Sequence, residues 1–184
     1  MKMTLLIVIA VIALLVLWVI SVQRKLVSQE ELVKNAMSQI GVQQQSRWDA
    51  LTALAELVKS YNEHEYNTLR DVIAQRKEIN GNSSAADVEA QEAAMTGMVR
   101  QIKLVAEQYP DLKASENYGK CMDSVNVYEN QVRTSRMVYN DTVTKFNRIV
   151  RQFPDSFVAN LLNFETKEYL KDVAEKSGMP SMKI

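Results

Sequence analysis

Between Thr4 and Val22 the chain runs 19 residues without a charge, and from Met1 to Val22 only Lys2, Thr4 and Ser21 are not hydrophobic. As a helix this stretch is about 28 Å long, close to the roughly 30 Å hydrocarbon core of a bilayer. Lipid offers no partner to a free peptide group, so a segment that spans it alone is helical. A cleaved signal sequence is the competing reading. Its apolar region is shorter, about 7–15 residues, and ends at a small-residue cleavage site. Here the run ends Trp18-Val19-Ile20-Ser21-Val22-Gln23-Arg24-Lys25, without such a site. A retained anchor over residues 1–25 is expected, with the Trp18 indole near the headgroups. Neither terminus carries a lipidation signal: residue 2 is Lys, and Cys121 is deep in the chain. Lys2 and the α-amino group precede the span, whereas Arg24, Lys25 and Lys34 follow it. The positive-inside rule then leans toward a cytoplasmic bundle.

The other roughly 160 residues have an ordinary soluble composition, enough for one domain and its core. Basic and acidic residues balance at 22 each, which argues against a nucleic-acid partner, since such partners need a basic face. One cysteine rules out a disulfide framework and a cysteine-based zinc site. Five glycines and three prolines leave room for long uninterrupted elements.

Apolar spacing after Lys25 is helical throughout. Leu26, Val33, Met37, Ile40, Gln44, Trp48, Leu51, Leu54, Val58 and Tyr61 form one stripe, interrupted by Gln44 and continued by Leu69, Val72, Ile73 and Ile79. The lengths favour a break near Ser60-Tyr61-Asn62: arms of about 50 and 26 Å match a helix of about 58 Å over 115–153 better than one rod of about 80 Å does. Asn80-Gly81-Asn82-Ser83-Ser84 is the clearest turn, with Ser84 and Asp87 placed to cap the next helix. Val88, Gln91, Met95, Met98, Ile102, Val105 and Tyr109 hold heptad positions up to Pro110. Ser115 is an expected cap. Tyr118, Cys121, Val125, Tyr128, Val132, Ser135, Tyr139, Thr142, Phe146, Ile149 and Phe153 then keep a 4,3 spacing, the period of a supercoiled seam. The expected fold is all-α: a transmembrane helix followed by an antiparallel, roughly four-helix up-and-down bundle over 26–154, with coiled-coil packing. Residues 155–184 read as an amphipathic segment, with Phe157, Leu161 and Phe164 on one helical face. From 155 to 176 five acids face three lysines, so packing against the bundle or a neighbour is expected in preference to lipid.

These residues resemble the LemA family. The most specific stretch is Tyr109-Pro110-Asp111-Leu112-Lys113-Ala114-Ser115-Glu116-Asn117-Tyr118, followed by Glu129-Asn130, Arg136-Met137-Val138-Tyr139-Asn140, Phe146-Asn147 and Phe153-Pro154. Tyr61, His64 and Glu65 match the family's Tyr-x-x-His-Glu, and Ser38, Gln39 and Ile40 its Ser-Gln-Ile. The resemblance implies a single-pass bacterial membrane protein with an antiparallel four-helix bundle, relatives in magnetosome membranes, and membrane metalloproteases as gene neighbours. Departures are Met37 and Gly41 where the family usually has Trp and Asp, loss of a proline in Asp49-Ala50-Leu51-Thr52-Ala53-Leu54, and Ser60 in place of Gly.

No constellation carries chemistry. His64 lies between Glu63 and Glu65, but Thr68 stands where a zinc motif needs a second histidine. Residues 62–65 therefore read as a helix opening favoured by its dipole. Cys121, on the seam, reads as an inert thiol. No phosphate loop or hydrolase elbow occurs. Asn130, Asn140 and Asn147 are poor helix formers in a long helix; they read either as a solvated flank or as interhelical hydrogen bonds that fix register. We thus expect no catalytic, cofactor-binding or metal residues. The expected function is that of a membrane-anchored scaffold partnered by the lipid bilayer, by its own copies as a homo-oligomer, or by other membrane proteins. A ligand-sensing module acting through a membrane partner is the alternative.

Overall fold

The computed structural model describes residues 2–171. Among them every regular element is helical: α1 Lys2–Lys59, α2 Glu63–Ile73, α3 Ala85–Gln108, α4 Pro110–Ala114, α5 Glu116–Arg151 and α6 Asp155–Leu161. Helix α1 is a single rod of 58 residues, about 87 Å long. Its first part is long and apolar enough to cross a membrane and lies almost bare, while packing begins at Trp18 and Val19. Anchor and bundle are thus one helix with no linker between them.

The break falls at residues 60–62. The amides of Tyr61 and Asn62 both donate to the Val58 carbonyl, at 2.9 Å each, which closes α1. The Asn62 side chain then accepts the Glu65 amide at 3.1 Å and opens α2. The second arm departs from the sequence reading, because α2 supplies only about three turns of it. Residues 74–84 complete the descent in irregular backbone that crosses α1 at Gly41, where a Cβ would collide with the Ile79 carbonyl. The bundle therefore comprises three long helices and a mixed second arm. Helix α3 opens on a reciprocal cap: the Ser84 hydroxyl accepts the Asp87 amide, and the Asp87 carboxylate accepts the Ser84 amide. Pro110 ends α3 and starts the short α4, which the periodicity did not resolve, and Ser115 caps α5.

Side-chain pairings fix the directions. Asp49 meets Arg76 and Glu56 meets Tyr66, so the second arm returns along α1. Gln44 meets Val88 and Trp48 meets Gln91, so α3 rises parallel to α1. Arg47 meets Glu129 and Lys25 meets Asp155, so α5 descends to the membrane-proximal end. The α5 stripe is broader than its seam, because Arg136, Val143, Asn147 and Val150 are buried beside it. The seam also stops short: α5 ends at Arg151, and Phe153 stands 83% exposed. Two hydrophobic clusters result. The membrane-proximal one contains Val22, Leu26, Met37, Phe146, Val158 and Leu170. The distal one contains Trp48, Leu54, Leu69, Met95, Ile102 and Val125.

Candidate functional site

A polar layer lies where the two clusters meet. The Arg47 side chain is 2% exposed; its Nη1 donates to Glu92 at 3.1 Å and its Nη2 to Glu129 at 2.9 Å. Gln44 Nε2 donates to Glu92 at 2.8 Å and to the Val88 carbonyl at 3.3 Å. Gln91 Oε1 accepts Trp48 Nε1–H and the Lys77 amide, each at 3.1 Å, so it ties the irregular arm to α1. Arg47 Nε and Gln44 Oε1 are buried without a hydrogen-bond partner. A buried guanidinium is costly unless it is paired, and in this register Arg47 meets one carboxylate from α3 and one from α5. Gln44 and Gln91 were visible in the sequence as polar residues on apolar stripes. Arg47, beside the stripe, gave no such signal.

A second arrangement holds the chain after α6. Residues 164–171 run extended along α5, away from the membrane-proximal end. Asn147 donates to the Lys167 carbonyl at 2.9 Å and accepts the Lys167 amide at 2.8 Å. Asn140 donates to the Leu170 carbonyl and accepts the Leu170 amide, both at 2.9 Å. One heptad of helix rises about 10.5 Å and three residues of extended chain about 10 Å, so the two asparagines meet the strap in phase. Arg136 adds a hydrogen bond to the Lys171 carbonyl, and the Tyr139 hydroxyl one to the Glu168 carbonyl. Burial, and then the Glu168 charge, hold the Tyr139 phenol above its ordinary pKa. Phe164 packs edge-on against Phe146 at 6.4 Å, and Leu170 is buried. Asn140 and Asn147 are therefore neither a solvated flank nor interhelical clamps. Phe164, expected on a helical face with Phe157 and Leu161, lies beyond α6 in this strap. Asn130 is exposed. Residues 172–184 of the expected amphipathic segment lie outside the described residues.

The remaining sequence candidates stay apart. His64 is exposed on α2, and Glu65 accepts from Gln101 at 3.0 Å. Cys121 is half-buried against the distal cluster. Among the described residues no group of three or more His, Cys, Asp or Glu is placed to hold a metal ion. What these arrangements do is hold a shape.

Comparison with known proteins places that shape. The profile of the LemA family matches residues 36–183. Protein LemA of Metamycoplasma hominis is 24% identical over 145 residues, which cover 77% of this chain and 65% of the relative. The Magnetosome proteins MamQ 1 and MamQ 2 of Paramagnetospirillum magneticum are each 26% identical over 72 residues, 39% of this chain and 26% of theirs. The chain thus spans just under two thirds of the first relative and about a quarter of the other two.

Proposed function

The chain belongs to the LemA family of single-pass bacterial membrane proteins, and from that premise we propose that it works as a non-catalytic scaffold at the inner membrane, presenting its bundle to its own copies and to other membrane proteins. The observation that carries this reading is the continuity of α1. A helix that passes from the span into the bundle without a linker holds the bundle at a fixed height and attitude, as an assembly platform requires. Exposed apolar residues on the bundle's flanks, among them Val42, Leu104, Val127, Met137 and Val138, supply contact points. By association with the family, a membrane metalloprotease is one such partner. The excess of Arg24, Lys25 and Lys34 over Lys2 supports a cytoplasmic bundle.

Crosslinking in native membranes tests the reading. Covalent homo-oligomers, or adducts with a small set of integral membrane proteins, are expected. A purely monomeric mass in native membrane patches, with no captured protein, would overturn it. For orientation, an Asn130→Cys variant with Cys121 replaced by Ser should react with a membrane-impermeant thiol reagent only after the cells are opened. The ligand-sensing alternative would have to work through open grooves, such as the one beside Ser28, Leu32 and Asn35 or the one beside Gly97, Arg100 and Leu104.

A further inference from the structure

Helix α6 has two unlike faces. Val158 and Ala159 are fully buried in the membrane-proximal cluster, whereas Phe157 is 67% and Leu161 65% exposed. Four residues apart on one short helix, Phe157 and Leu161 point the same way, and exposed Phe153 and Leu162 flank them. A cluster of large apolar side chains turned out of a packed domain marks an interaction surface.

Its height along α1 identifies the occupant. Asp155, the first residue of α6, is bridged at 3.0 Å to Lys25, three residues beyond the apolar span. The core that buries Val158 and Ala159 also receives Trp18 and Val19, which belong to that span. The last turn of the span and α6 therefore occupy one level, that of the headgroups and the acyl-chain boundary. The exposed patch thus stands at the level where α1 leaves the membrane. We infer that α6 is a second membrane attachment, lying in the bilayer interface with Phe153, Phe157, Leu161 and Leu162 inserted among the lipids.

Charge agrees once it is counted in space. The net-acidic window 155–176 argued against lipid, but Asp155 is paired with Lys25 and the strap carries Lys167 and Glu168 up along α5, so that among the described residues of that window Glu165 is the acid left to set against the basic side chains at this end. At the same end of the molecule stand exposed Arg24, next to Lys25 on α1, and exposed Arg148 and Arg151 in the last turn of α5, just before α6. Basic side chains around inserted apolar ones are the pattern of an interfacial helix.

The test uses the full chain with Cys121 replaced by Ser, carrying a nitroxide on Phe157→Cys or Leu161→Cys. The host is a phosphatidylethanolamine–phosphatidylglycerol nanodisc. These side chains are exposed, so the substitutions leave the core intact. Collision with oxygen, which concentrates in lipid, should exceed collision with a water-soluble nickel chelate several-fold. The same ratio for an Asn130→Cys label, exposed on α5 next to Glu129 at the level of Arg47, sets the aqueous reference. Labels at 157 and 161 matching that reference would overturn the inference. So would spin–spin broadening at these sites without lipid contact, which would assign the patch to a neighbouring copy. Neither result bears on whether the bundle captures partners elsewhere, so the scaffold reading stands or falls by itself.

Discussion

Replacing Asn147 by Ala removes two hydrogen bonds and leaves a half-buried carbonyl and amide of Lys167 to find water. The expected cost is about 1–3 kcal/mol, read by urea denaturation of the full chain in detergent. Amide exchange at Lys167 and Leu170 should accelerate together, because the strap lifts as a unit. Asn130→Ala, on an exposed position of the same helix, should fall within about 0.5 kcal/mol of the parent. Gly41→Ala is expected to cost more than its size suggests, about 1–3 kcal/mol, because the Ile79 backbone occupies the space a methyl needs. The sequence flagged the asparagines, since nothing about helix propensity explains them. It could not name their partner, because a strap held through its backbone carries no side-chain pattern. Gly41 was visible only as a departure from the family, and the close approach behind it is a tertiary fact.

Helices were legible where an apolar stripe and a cap coincided. Gln91 through Val105 sit on the α3 stripe and are buried, and Ser84, Asp87 and Ser115 cap as their spacing required. The descent after Ile73 was not legible, because Ile79 continued the stripe by count while the backbone had already left the helix. Disrupting the α3 cap with Ser84→Ala should cost about 1 kcal/mol. The Asp87 carboxylate is held below the ordinary carboxylate range, first by the Ser84 hydroxyl and then by the Ser84 amide. A depressed folded pKa gives stability that is complete above the unfolded value and is lost as pH falls through the folded one. Thermal melts of the parent and of Asp87→Ala should therefore differ at neutral pH and converge in acid, with the parent losing the advantage.

Across the whole molecule, the polar layer divides one long core in two. Arg47→Met should destabilise by about 2–3 kcal/mol, below the value for a fully buried pair, because Glu92 and Glu129 keep some contact with water. Equilibrium denaturation measures that loss. If the layer sets register, interhelical distances from spin-label pairs should also broaden in the variant. The unbroken α1 has one more consequence, which is rotational. A straight α-helix returns to the same azimuth after about five turns, or 18 residues. Ala10 and Ala13, the small residues of the span, thus share their azimuth with Ser28 and Glu31 above the membrane. Whatever neighbour the span meets through one side, the bundle must meet through the matching side, and a twist imposed within the lipid is delivered to the bundle as the same angle.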